Sequence, residues 1–229
     1  MGVPLFRRKR MSRVAALFDL DNTLLDTSSG QLYARYLHRH GKMGWGELVR
    51  VTWWGLLRKL GVLDMQDLIP RLLSGAAGDN EREMRQLCDR WFAEDVVPHV
   101  TERGRQQVAD HQAQGHVVAL VSASTQYVVE PMAAYLGIPG QFVCTHLVSK
   151  NGHLTGEVVP PVCYGEGKVT WAERFAAEHD VDLAVSYFYT DSISDLPLLE
   201  RVGQPVVVNP DLKLKQLALQ RGWPIEMFY

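Results

Sequence analysis

Apolar and polar positions follow three rhythms along this chain, and each predicts a different element. Apolar-rich runs at 14–18, 117–121, 184–190 and 205–208 lack the polar residue at every second position that a half-exposed strand shows, so they predict strands covered on both faces. The first ends abruptly in Asp19 and Asp21. Helical spacing fills the intervals, with helices predicted up to about Gly115, over 127–136, over 168–179 and over 196–201. Apolar runs at 142–148 and 154–159 flank Lys150-Asn151-Gly152, where Asn-Gly predicts a hairpin.

One stretch breaks the alternation. From Gln31 to about Val97 no strand of comparable quality occurs, while Leu32, Tyr36 and Leu37, and later Met84, Leu87, Cys88, Trp91 and Phe92, recur at helical spacing. Gly41, Gly61, Pro70 and the 74–80 segment divide it into about four helices. Strand and helix in units of about 30 residues imply a parallel sheet with helices on both faces. The expected fold is therefore α/β, a three-layer Rossmann-like parallel sheet core with an inserted all-helical cap. The expected limits are 14–30 and 98–229 for the core and 31–97 for the cap, after a basic, flexible N-terminus over 1–13.

Composition narrows the function classes. The chain has 229 residues, 46% of them hydrophobic and 22% charged, enough to bury a core. Lys and Arg total 24 against 26 Asp and Glu, for a net charge of −2, which argues against a nucleic-acid partner. The three cysteines, Cys88, Cys144 and Cys163, are odd in number and lack a Cys-x-x-Cys spacing, so they read as reduced residues rather than a disulfide or zinc framework. Arg7, Arg8, Lys9 and Arg10 are followed by no signal-peptide apolar region, and they suit at most a weak contact with an anionic membrane surface. The Trp- and Leu-rich run from 43 to 62 is interrupted by Glu47, Arg50, Arg58 and Lys59, so no transmembrane segment is expected and the chain reads as soluble and cytoplasmic. Trp45, Trp53 and Trp54 are expected to pack within the cap rather than to cage a ligand.

Chemistry concentrates where strands end. Asp19 and Asp21 follow the first strand, Ser122, Ala123 and Ser124 the second, Lys168 opens a helix after Gly165-Glu166-Gly167, and Asp191 and Asp195 follow a later strand. At the carboxyl edge of one parallel sheet these residues would converge. Clustered carboxylates repel one another and call for a cation, and an oxygen-only donor set suits Mg²⁺. A Lys and a Ser in the same crevice suit a phosphoryl group.

The order Asp-x-Asp-x-Thr (19–23), apolar-apolar-Ser (120–122), Lys168, and Asp-x-x-x-Asp (191–195) resembles the four-motif pattern of the haloacid dehalogenase superfamily. The helical insertion between the first two motifs is similar to that of its phosphoserine phosphatase-like subgroup, the type with a helical C1 cap. The resemblance runs from about Val14 to the C-terminus, including 208–211 and 222–224. It implies a Mg²⁺-dependent phosphomonoester hydrolase that works through an aspartyl-phosphate on a small phosphorylated metabolite. Asp19 would be the nucleophile, and Asp21 the general acid and then base. Asp19, the Asp21 carbonyl and Asp191 would be the metal ligands, with Asp195 supporting them through a water or through Lys168. Ser122, the amides that follow it at Ala123, and Lys168 would hold the phosphate. Asp21 favours hydrolysis over phosphotransfer and argues against an idle Mg²⁺- and phosphate-binding module. Two departures bear on the substrate. The acid that phosphoserine phosphatases commonly carry nine positions after the nucleophile is Ser28 here, and Thr190, Ser192 and Ser194 replace three usual residues of the fourth motif. Histidinol phosphate and lipid-type phosphates therefore stand as alternatives to phosphoserine.

Overall fold

The protein is described here by a computed structural model covering residues 12–59 and 68–229, with 54–59 as backbone alone. The expected basic terminus over 1–13 lies outside the described residues except at Ser12 and Arg13, and so does part of the 43–62 run. In chain order the elements are β1 (Ala15–Phe18), α1 (Ser29–Arg39), α2 (Trp45–Lys59), α3 (Leu68–Leu73), α4 (Glu81–Trp91), α5 (Glu102–Ala113), β2 (Val117–Thr125), α6 (Gln126–Tyr135), β3 (Phe142–Thr145), β4 (Leu147–Lys150), β5 (His153–Val158), α7 (Glu166–Glu178), β6 (Tyr187–Thr190), α8 (Leu196–Arg201), β7 (Gln204–Val208), α9 (Leu212–Arg221) and β8 (Ile225–Glu226).

Six strands form one parallel sheet in the order β3-β2-β1-β6-β7-β8. The apolar runs alternate faces, as the two-residue period of a strand requires. Ala16, Phe18, Val118, Leu120, Val206 and Val208 pack into one core layer. Ala15, Leu17, Val117, Ala119, Val121 and Val207 pack into the other. Both faces are covered, which is why these strands read as continuous apolar runs. Strand order reverses between β1 and β6, and at such a switch point a crevice opens beyond the strand ends.

The helical segment leaves and re-enters the sheet at one place. Leu25 bridges Val100 in antiparallel fashion, and Asp26 N–H donates to the His99 carbonyl at 3.0 Å. The outgoing and returning strands of chain thus lie side by side, with an Asp26–His99 contact of 2.7 Å between them.

Three elements differ from the sequence pattern. The 142–148 run is two strands: β3 joins the main sheet, and after His146 the chain turns out to form β4, which pairs with β5 as the hairpin. The 184–190 run begins as a turn, because the Asp182 side chain accepts from Ala184 N–H at 2.9 Å, and the strand starts only at Tyr187. β2 continues past Val121 to Thr125, carrying Ser122 and Ser124 within the strand. The hairpin docks on the helical insertion, with Glu81 N–H donating to the Gly152 carbonyl at 2.9 Å and Leu154 N–H to the Asp79 carbonyl at 2.8 Å. The expectation for the tryptophans does not hold at two positions: Trp45 is 72% and Trp53 57% exposed, because they fall on the outward face of α2. The side chain of Trp54 lies outside the described residues.

Candidate active site

The register between β1 and β6 sets the frame. Phe18 is level with Tyr189, and Asp19 N–H donates to the Tyr189 carbonyl at 2.9 Å, so Asp19 and the Thr190-Asp191 pair leave adjacent strand ends together. Asp19 and Asp191 are both buried.

A second group reaches the same point from the other side of the sheet. Lys168 lies in the first turn of α7 and is 2% exposed. Its Nζ donates to Asp19 Oδ1 and to Asp195 Oδ2, each at 2.7 Å, and Thr190 Oγ1 donates to Asp195 Oδ2 at 2.6 Å. The Asp195 side chain does not cap α8, although it sits at the helix start. It fixes the lysine instead. Burial would lower the Lys168 pKa, but the Asp19 and Asp195 charges outweigh it and hold the ammonium above its ordinary range. Burial acts the opposite way on Asp19. Against the pull of Lys168, and helped by Asp195 and Asp21, it pushes the carboxyl up to about 6. A nearby divalent cation is the charge that would reverse that push.

α7 can deliver Lys168 there because of Gly167. A Cβ at that position would collide with the Val162 carbonyl, so only glycine allows the start of the helix to pass so close to the preceding loop.

Asp21 is held separately. Ser29 N–H donates to its Oδ1 at 2.6 Å and Ser124 Oγ–H to its Oδ2 at 3.0 Å, while the Ser29 and Ser124 hydroxyls are 2.9 Å apart. Ser29 is the first residue of α1, so the carboxylate meets the positive end of that helix. Ser122, 1% exposed, accepts from Ser124 N–H at 3.1 Å. Thr125, three residues on, stands at the N-cap of α6. Ala123 lies on the wall of the cavity that opens beside Asp21.

The loop after Asp21 is clamped from the C-terminus. Asn22 adopts a left-handed φ of 55°, and its carbonyl accepts from Asn209 Nδ2 at 3.4 Å and from the Tyr229 hydroxyl at 3.5 Å. Asp211 caps α9 at Leu214 N–H (2.8 Å), accepts from Ile193 N–H (2.9 Å), and donates its own N–H to the Asp191 carbonyl (2.9 Å).

The residues expected from the sequence thus lie in two bonded groups, Lys168 with Asp19 and Asp195, and Asp21 with Ser124 and through it Ser122, while Asp191 leaves the strand end next to that of Asp19. The reading assigned no positioning role to Ser29, Ser124, Thr190 or Asp211, although it named Ser124 and Thr190 beside the motifs. Each is a common polar residue whose sequence signal, a Ser or Thr next to a motif or an Asp before a helix, is indistinguishable from ordinary capping. Among the described residues, no three His, Cys, Asp or Glu side chains form a ready metal cage. The buried carboxylates that adjacent strand ends bring side by side, Asp19 and Asp191, offer oxygen donors only. An all-oxygen set this sparse suits an ion that keeps several waters, as Mg²⁺ does.

Comparison with known proteins bears on the chain as a whole. A sequence profile described as haloacid dehalogenase-like hydrolase matches residues 16–200. A Neisseria meningitidis protein named histidinol-phosphatase is 30% identical over 217 residues, covering 93% of this chain and 98% of that one. A Bordetella pertussis protein of unknown function has a crystal structure that superposes with a TM-score of 0.84 at 30% identity, over 95% of this chain and 100% of that one. A phosphoserine phosphatase solved as a phospho-aspartyl intermediate analogue superposes with a TM-score of 0.70 at 20% identity, over 95% of this chain and 94% of that one, a likeness of fold.

Proposed function

This chain belongs to the haloacid dehalogenase-like hydrolases and is a phosphatase, and from that premise we propose that it hydrolyses small phosphate monoesters through an aspartyl-phosphate on Asp19, with Mg²⁺ as cofactor. The observation that carries this reading is the buried chain Asp19–Lys168–Asp195–Thr190, with Asp21 two residues from the nucleophile and bonded independently of it.

Asp19 Oδ1 is engaged by Lys168, which leaves Oδ2 outside that ion pair as the attacking atom. Attack forms an O–P bond to Asp19 and breaks the ester P–O bond, and the departing alkoxide takes the proton carried by Asp21. Asp21 then removes a proton from water, which attacks the aspartyl-phosphate and frees Asp19 and inorganic phosphate. Ser29 and Ser124 hold the Asp21 carboxyl in one orientation for both transfers. The Lys168 ammonium lowers the repulsion between the Asp19 carboxylate and an anionic phosphate, and Asp195 keeps it aimed. Ser122 and the amide of Ala123 would hold phosphate oxygens. Mg²⁺ bound by Asp19, the Asp21 carbonyl and Asp191 would supply the remaining charge neutralisation.

The relatives' names suggest histidinol phosphate and phosphoserine as candidate substrates of one size class. The reading is tested with purified protein and a generic aryl phosphate. Turnover should require Mg²⁺, cease with a chelator and vanish in Asp19→Asn. Undiminished turnover after chelation, or in Asp19→Asn, would refute it.

A further inference from the structure

The outer face of α2 carries apolar residues that a packed helix would turn inward. Among the described elements α2 packs chiefly on α1, and Leu48 and Val51 on one of its sides are half-buried. Trp45, Val49 and Trp53 recur every fourth residue and so share one stripe, and they are 72%, 61% and 57% exposed. His38 meets Trp45 edge to face at 4.5 Å between ring centroids and steadies the indole without covering it. Single exposed apolar residues need no explanation, but three large ones in register form a patch of the kind that marks an interaction surface.

The charges around the stripe are mostly of one sign. From 42 to 59 the chain has Lys42, Arg50, Arg58 and Lys59 against one acid, Glu47, in a molecule whose net charge is −2. Lys42 is exposed just before the helix, and Arg50 stands 3.9 Å from Glu47, a surface ion pair of little worth. A second copy of this chain is a poor occupant, because a two-fold contact on this stripe would press the basic residues against their own copies. A layer of anionic lipid headgroups suits both features. Indole and aliphatic groups enter the headgroup boundary while flanking Lys and Arg meet lipid phosphates. At 15 residues α2 is short of the roughly 20 that a spanning helix needs, and no described helix is long and apolar enough to cross a membrane.

We propose that α2 docks this protein on anionic lipid surfaces, lying in the interface plane with Trp45, Val49 and Trp53 among the headgroups and the basic residues around them on lipid phosphates. The contact is reversible, since one short helix with three apolar side chains buries too little surface to anchor the chain permanently. The basic run Arg7-Arg8-Lys9-Arg10 is a second source of attraction to the same surface, so the stripe and the run have to be told apart by experiment. The proposal concerns the outer face of the insertion and does not depend on the phosphatase reading.

The test is flotation of the full chain with vesicles of phosphatidylcholine alone and of phosphatidylcholine with phosphatidylglycerol at about 2:1. Binding to the anionic vesicles should be about tenfold or more tighter than to the neutral ones, and most of that difference should vanish at about 0.5 M salt. The double variant Trp45→Ser/Trp53→Ser should weaken binding by about tenfold or more, with its melting temperature and its turnover of an aryl phosphate unchanged. The same loss should appear when Arg7→Ser, Arg8→Ser, Lys9→Ser and Arg10→Ser are already in place. Absence of binding to anionic vesicles overturns the proposal, and so does equal binding to the two vesicle types. Binding that the tryptophan substitutions leave unchanged also overturns it and gives the contact to the basic run. A dimer in sedimentation that the tryptophan substitutions dissolve overturns it in favour of a second copy of this chain.

Discussion

Asp21 and Lys168 show how differently two charged side chains can be held within one site. Asp21 takes its two bonds from a helix N-terminus and a serine hydroxyl, and neither partner is charged. Asp21→Asn keeps the shape and an acceptor for the Ser29 amide, so the fold should survive while kcat falls about 10²–10⁴-fold, the usual worth of a general acid and base. Steady-state kinetics with a melting curve on the same sample checks both halves of that expectation. Lys168 is different because it neutralises two buried carboxylates at once. Lys168→Met should abolish turnover and also cost about 3–5 kcal/mol of stability, since removing one partner strands the others in a low dielectric. Urea unfolding measures it, and an unchanged midpoint would mean the carboxylates are solvated or protonated instead. Both residues were legible from their motif positions. The resemblance left Asp195 to act through a water or through Lys168, and only packing decides the 2.7 Å contact with the lysine.

Elements place these side chains, and small residues decide how closely. Gly167→Ala should displace the start of α7 from the Val162 carbonyl and carry Lys168 with it, lowering kcat more than it lowers the melting temperature; loss of the two in proportion would indicate simple unfolding. A second device ties α5 to the sheet. Tyr189 Oη accepts from Gln107 Nε2 at 3.0 Å and lies 2.8 Å from His111 Nε2, while His111 Nδ1 lies 2.8 Å from His116 Nδ1. The phenol can therefore donate to Nε2, which leaves the His111 proton on Nδ1 and the ring neutral. Burial, then the His116 charge, holds the His111 pKa down to about 4, below its ordinary 6.5. Above pH 6.5 neither the folded nor the unfolded chain protonates it, and no stability is at stake. As pH falls from about 6.5 to about 4, only the unfolded chain takes the proton, so stability is lost across that window. His111→Gln should flatten the dependence of melting temperature on pH over that range, and parallel profiles for variant and parent would exclude the assignment. The sequence placed the helix here but not this contact, because the partners are 78 positions apart and their pairing depends on sheet order.

At the scale of the whole molecule, the site is a meeting of distant segments, so ligands that bridge them should stabilise the whole fold. Mg²⁺ with beryllofluoride, which mimics a phosphoryl group on a carboxylate, should raise the melting temperature of the parent and not of Asp19→Asn. At a ligand concentration about 100 times Kd the linkage is about 2.7 kcal/mol. A shift of equal size in the variant would place the binding elsewhere.

The sequence by itself determined the parallel sheet and the helical insertion and singled out the candidate residues at the strand ends, because strand runs buried on two faces, helical spacing and short motifs are all local in the chain. Tertiary structure alone decided the rest. Register at the β1–β6 switch brings Asp19 and Asp191 to adjacent strand ends, the hairpin bonds to the insertion, and the cavity beside Asp21 is lined by Tyr33, Trp91 and Tyr127, drawn from three helices, whereas Trp45 and Trp53 face outward. Periodicity tells which side of a helix is apolar, but what that side faces depends on packing between segments far apart in the chain.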